Sequence, residues 1–143
     1  MKKEELLTPE VFCPVRQTLK MLGKRWTLLI IKEIYYSKNK KLSFMELKRR
    51  LGNVSTKVLS ERLKEMADDS LINRKEREDL TPARVYYTLT GKGKDVCKII
   101  DEFKEYGRKW GGKKTFDCKD MDCELCFKLR EEKKHPVWKP PSV

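Results

Sequence analysis

A chain of 143 residues with 38% apolar content and a formal net charge of +12 has room for one domain with short extensions. Its longest apolar stretch, Leu28-Leu29-Ile30-Ile31, is cut off by Lys32, far short of the roughly 18 residues a membrane span needs. No apolar segment follows the opening Met1-Lys2-Lys3-Glu4-Glu5, so the expectation is a soluble cytoplasmic chain with no secretory signal and no membrane partner.

The positive charge is concentrated. Residues 38–64 carry nine Lys and Arg, among them Lys48, Arg49, Arg50, Lys57, Arg62 and Lys64, against Glu46 and Glu61. From Gly111 onward eight basic residues are set against six acidic ones. A localised positive patch on a folded domain attracts polyanions by counterion release; the alternative is a solvated Lys/Glu-rich surface of the kind met in heat-adapted chains.

Residues 1–12 read as an N-terminal arm. A helix can start at Cys13-Pro14, with proline in the first turn where its missing N–H costs nothing. Val15, Leu19 and Leu22 would form its apolar stripe and Gly23 its end. A second helix is expected from about Arg25 to Tyr36 and a polar turn at residues 37–40, with Trp26, Leu29, Ile30 and Ile34 at helical spacing. Ser43 caps a short third helix to about Leu51, burying Phe44 and Leu47 and pointing Lys48, Arg49 and Arg50 outward. Gly52-Asn53 marks a turn. Ser55 caps a fourth helix to about Ala67, with Leu59, Leu63 and Met66 as its buried stripe. Two helices joined this closely, the second well capped and basic, read as a helix-turn-helix.

Leu71 to Glu78 and Arg84 to Leu89 then read as a β-hairpin around the loop Asp79-Leu80-Thr81-Pro82-Ala83. Thr90 caps a long last helix to about Trp110, stopped by Gly111-Gly112. The predicted fold is mainly α with a small β-hairpin wing: a winged helix-turn-helix over residues 11–112, followed by a cysteine-containing extension over 113–143.

Cys13-Pro14-Val15, Gly23-Lys24-Arg25-Trp26-Thr27-Leu28-Leu29-Ile30, Phe44-Met45-Glu46-Leu47, Ser55-Thr56-Lys57-Val58-Leu59-Ser60-Glu61-Arg62-Leu63 and Arg84-Val85-Tyr86-Tyr87-Thr88-Leu89-Thr90 resemble, in order and spacing, the HxlR-type winged-helix transcriptional regulators of the MarR-like superfamily. The resemblance covers about residues 11–110. It implies homodimeric repressors or activators whose N- and C-terminal helices pair between subunits and which bind promoter DNA. In some members a cysteine at the position of Cys13 senses oxidants or electrophiles. The segment after Gly112 departs from the family pattern, and nothing carries over to it.

The expected partner is double-stranded DNA, with the fourth helix in the major groove. With Leu59, Leu63 and Met66 inward, Ser55, Thr56, Lys57, Ser60, Glu61 and Lys64 are the groove-facing candidates. Lys57 suits guanine acceptors or phosphate, Ser60 suits either kind of base edge, and Glu61 would select cytosine or space the helix. Lys48, Arg49 and Arg50 suit phosphate, which positions without reading sequence. Around the hairpin loop, Arg74, Lys75, Arg77 and Arg84 can enter a narrow minor groove or grip flanking backbone, and Arg84 also matches the family pattern.

Val96, Ile99, Ile100, Phe103, Tyr106 and Trp110 form a stripe too long for so small a domain to cover. A two-fold partner would cover it, or the tail would fold back over it. Cys13, at a helix N-terminus, is the redox-sensing candidate, because aligned N–H groups favour thiolate; it reads equally as a small apolar residue in a dimer contact. Cys118, Cys123 and Cys126 with His135 make a tetrahedral zinc set by ligand type, although two close ligand pairs are missing. A disulfide, a pairing with Cys13 or idle thiols stay open. No catalytic constellation is present, and Cys123-x-x-Cys126 lacks the βαβ context of a thiol oxidoreductase. The leading expectation is a sequence-specific regulator of unknown effector, set against an architectural DNA-binding protein without sequence preference.

Overall fold

The computed structural model describes residues 13–112, with Lys2 and Glu4 besides. Cys118, Cys123, Cys126 and His135 lie outside the described residues.

Helix α1 (Pro14–Leu22) begins after Cys13 with proline in its first turn, and the Gly23 N–H closes it on the Leu19 carbonyl at 2.7 Å. Of its expected stripe only Leu22 is buried, while Val15 and Leu19 are exposed. Helix α2 (Thr27–Tyr35) starts two residues later than Arg25, because Trp26 takes a left-handed φ of 79° and stands as its N-cap. It is the central helix, burying Ile30, Ile31 and Ile34. Each such side chain withdrawn from water contributes roughly 1.5–3 kcal/mol.

Strand β1 (Lys41–Ser43) runs directly into helix α3 (Phe44–Leu51). Helix α4 (Thr56–Asp68) follows the turn, then strands β2 (Ile72–Arg77) and β3 (Arg84–Leu89), and helix α5 (Gly91–Trp110). The sheet is antiparallel in the order β1-β3-β2. The expected hairpin is therefore part of a three-stranded sheet, whose first strand hides at the end of a polar stretch. Leu42 is its buried anchor, opposite Tyr87.

Leu47 of α3, the Leu59-Leu63-Met66 stripe of α4, Leu71 and Ile72 close the core against α2. Helix α5 packs on α2. Thr90 fixes its start: the hydroxyl accepts from the Gly93 N–H at 3.0 Å and donates to the Leu71 carbonyl at 3.1 Å. A Cβ on Gly93 would stand 2.1 Å from that same Leu71 oxygen, so only glycine allows α5 to approach the end of α4 this closely. Among the described residues no helix is long and apolar enough to cross a membrane.

Candidate nucleic-acid interface

Two caps and a glycine build the helix-turn-helix. Ser43 and Glu46 form a reciprocal capping box at the start of α3: the Glu46 N–H donates to Ser43 Oγ at 3.2 Å, and the Ser43 N–H donates to Glu46 Oε2 at 2.9 Å. Such a cap stabilises a helix by about 1 kcal/mol. Gly52, at φ 83°, turns the chain after α3, in a region that strains any residue with a Cβ. Ser55 then caps α4, accepting from the Val58 N–H at 3.1 Å.

Because Leu59, Leu63 and Met66 turn inward, Ser55, Thr56, Lys57, Ser60, Glu61 and Lys64 are all exposed at the N-terminal half and outer side of α4. The half-buried Lys48 bridges the two helices, its ammonium donating to Thr56 Oγ1 at 2.9 Å. Arg62 is used internally, with Nε donating to the Arg25 carbonyl at 2.9 Å and Nη1 pairing with Glu65 at 2.5 Å. The Lys24 hydrogen bond, with the Arg62 charge beside it, holds the Glu65 carboxyl below the usual carboxylate range.

Arg50 corrects the expectation of three outward cations on α3. Arg49 is exposed, but Arg50 is buried at 8% exposure and pairs with the buried Glu33 of α2. It ties two helices together and is not presented to a phosphate.

The wing divides its cations. Arg74 pairs with Glu76 at 2.6 Å, and Arg77 makes a two-pronged contact with Asp79 at 2.8 and 2.7 Å. These carboxylates, first by hydrogen bond and then by charge, raise both guanidinium pKa values, and Arg77 lowers that of Asp79. All of these groups are exposed, so the pairs add little to stability; their effect is to occupy two of the four expected contacts. Lys75 and Arg84 are exposed and have no acidic partner among the described residues. Arg77 and Arg84 face each other in register, a like-charge pair that Asp79 relieves. Lys41, on the strand unseen in the sequence, lies on the same side of the sheet, its ammonium 5.2 Å from the Tyr86 ring.

The expected dimer stripe splits in two. Val96 and Ile100 are buried in the chain's own core, where α5 meets α2, so they are not available to a partner. Ile99, Phe103, Tyr106 and Trp110 are exposed, the last three at 59%, 70% and 64%. Ile99 and Phe103, with Leu19, Leu22, Trp26 and Leu29, border an apolar groove of about 390 Å³ between α1, α2 and α5.

Cys13 is the half-buried N-cap of α1, its carbonyl accepting from the Gln17 N–H at 3.0 Å. Cys97 is buried, and desolvation, with the Asp101 charge adding to it, pushes its thiol pKa up. Among the described residues no cluster of three His, Cys, Asp or Glu could hold a metal ion.

A model of the HxlR-like helix-turn-helix family matches residues 21–115. The chain belongs to that family. An uncharacterized HTH-type transcriptional regulator of Halalkalibacterium halodurans is 36% identical over 96 residues, which cover 67% of this chain and 82% of that protein. The reduced form of the transcriptional regulator YodB of Bacillus subtilis is similar in structure, with a TM-score of 0.58 and 31% identity over 69% of this chain and 94% of the other. The oxidized form of the redox regulator HypR is also similar, at TM-score 0.59 and 28% identity, covering 66% and 94%. This HxlR-like chain is thus a helix-turn-helix transcriptional regulator of winged-helix fold, in a family of DNA-binding proteins and not of enzymes.

Proposed function

We propose that this HxlR-like protein is a cytoplasmic, sequence-specific transcriptional regulator that binds duplex DNA as a homodimer. The observation that carries the reading is the exposed face of α4, where Thr56, Lys57, Ser60, Glu61 and Lys64 stand together on a capped helix. Hydroxyl, ammonium and carboxylate groups can each discriminate base edges, and an acid on a groove face serves no purpose in binding phosphate alone. Lys48 and Arg49 flank that face as phosphate contacts, and Arg84 reaches for the minor groove from the wing. Exposed Ile99, Phe103, Tyr106 and Trp110 pair with a second copy about a two-fold axis, with 11–112 as the regulatory domain and 113–143 as its extension.

Cys13 is the proposed thiol sensor. Support comes from its place at the start of α1 and from the similarity to HypR, described as a redox regulator. Cys118, Cys123 and Cys126 act with it or as a separate unit, either with His135 around zinc or as a disulfide. Native mass spectrometry separates these: one zinc lost on His135→Ala supports the metal, a mass two hydrogens lighter supports the disulfide, and five free thiols without metal rule out both.

The experiment for DNA reading is selection of bound fragments from random duplex DNA. An enriched inverted repeat, with half-sites about one helical turn apart, supports the regulator. An unenriched pool would leave an architectural DNA-binding protein.

A further inference from the structure

The strand register gathers four cations on one side of the sheet, of which only Arg77 is paired with an acid. Leu42, Tyr87, Leu89 and Ile72 turn into the core, so Lys41, Lys75, Arg77 and Arg84 share the opposite side with Tyr86. Lys75 is paired directly with Tyr86, and Lys41 holds its ammonium over the Tyr86 ring at 5.2 Å. A ring face attracts a cation without cancelling its charge. No outward position of the three strands is acidic; the nearby Asp79, from the loop, is taken by Arg77. The cations that have acids, Arg74 and Arg77, and those that lack them are therefore distinct sets.

We propose that Lys41 and Lys75, arranged around Tyr86, form a phosphate-binding strip that carries the DNA contact past the wing onto the backbone flanking the segment α4 reads. The proposal rests on the DNA-binding reading above and extends it to a surface outside the helix-turn-helix and the wing tip. Two features tie the strip to the duplex. β1 leads without a break into α3, the helix of a helix-turn-helix that crosses the backbone. Along β3 the strip is continuous with Arg84: Thr88, the partner of Lys41, lies four residues on, about 13 Å at strand rise. That length spans about four base-pair steps of phosphate.

The test uses the full chain, its selected duplex trimmed to the contacted core, and the same duplex extended by about one helical turn on each side. The wild type is expected to bind the extended duplex more tightly. In Lys41→Gln/Lys75→Gln that advantage disappears, the slope of log K against log salt on the extended duplex falls by about two per protomer, and the trimmed duplex loses less. Both side chains are exposed, so an unchanged melting temperature is the folding control. An unaltered salt slope on the extended duplex would overturn the strip, as would an equal loss on both duplexes. Failure of DNA binding itself is distinguishable, since the wild type would then bind neither duplex, and that result overturns the strip as well.

Discussion

Glu33 Oε2 and Arg50 Nη1 meet at 3.6 Å between α2 and α3, with 7% and 9% of their side chains exposed. Lys32 reaches the other oxygen of Glu33 at 3.1 Å from the surface side. The pair fixes the first helix of the helix-turn-helix against the central helix. Removing Glu33 takes away the carboxylate that faces the buried Arg50 guanidinium. Glu33→Ala should therefore lower unfolding free energy by about 3–5 kcal/mol, whereas Glu33→Met/Arg50→Leu together should cost far less. Urea unfolding of the two variants, compared with wild type, checks the asymmetry; equal losses would mean that packing volume dominates.

Gly93→Ala tests the junction of α4 and α5. The new methyl would meet the Leu71 carbonyl at 2.1 Å, backbone that cannot rotate away. A loss of about 1–3 kcal/mol is expected, despite alanine's higher helix propensity. Thermal unfolding at or above the wild-type midpoint would contradict it.

The exposed and buried halves of α5 should respond differently. Phe103→Glu places a carboxylate on a side chain exposed in the protomer, so it should leave folding intact and dissociate the proposed dimer. Ile100→Ala, in the core, should cost about 2–5 kcal/mol. Sedimentation and urea unfolding on both variants read the two effects separately; a Phe103→Glu protein that sediments as wild type would refute this dimer face.

Burial raises the Cys97 pKa, so the folded state holds that proton longer than the unfolded chain does. Its contribution to stability is then complete below the ordinary thiol pKa, near 8.5, and is lost as pH rises towards the higher folded value. Cys97→Ala should flatten the decline in stability above about pH 8.5 relative to wild type. In timed alkylation read by mass spectrometry, Cys13 should be modified well before Cys97.

Much of this architecture was legible because local chemistry marked it. Ser43, Ser55 and Thr90 each cap the helix they were expected to start, and Gly52 makes the turn. What escaped depended on partners distant in sequence. Arg50 reads as one more outward cation until Glu33, in another helix, is found beside it. The period of α5 marks an apolar face but not what covers it; α2 covers Val96 and Ile100 and leaves Phe103, Tyr106 and Trp110. β1 is three residues long, too short for alternation to register, so Lys41 falls in no expected element. The outward set on α4 was readable because its buried stripe left one arrangement for the remaining side chains.

Whether α4 reads sequence is decided by salt-dependent binding to a selected duplex and to its scrambled counterpart. Wild type should prefer the selected duplex at every salt concentration, by a factor of about 10³ or more. Lys57→Ala should weaken binding and, if the lysine contacts backbone, reduce the salt slope by about two per dimer. Equal affinity for both duplexes across the salt series, with Lys57→Ala indistinguishable from wild type, would contradict the account.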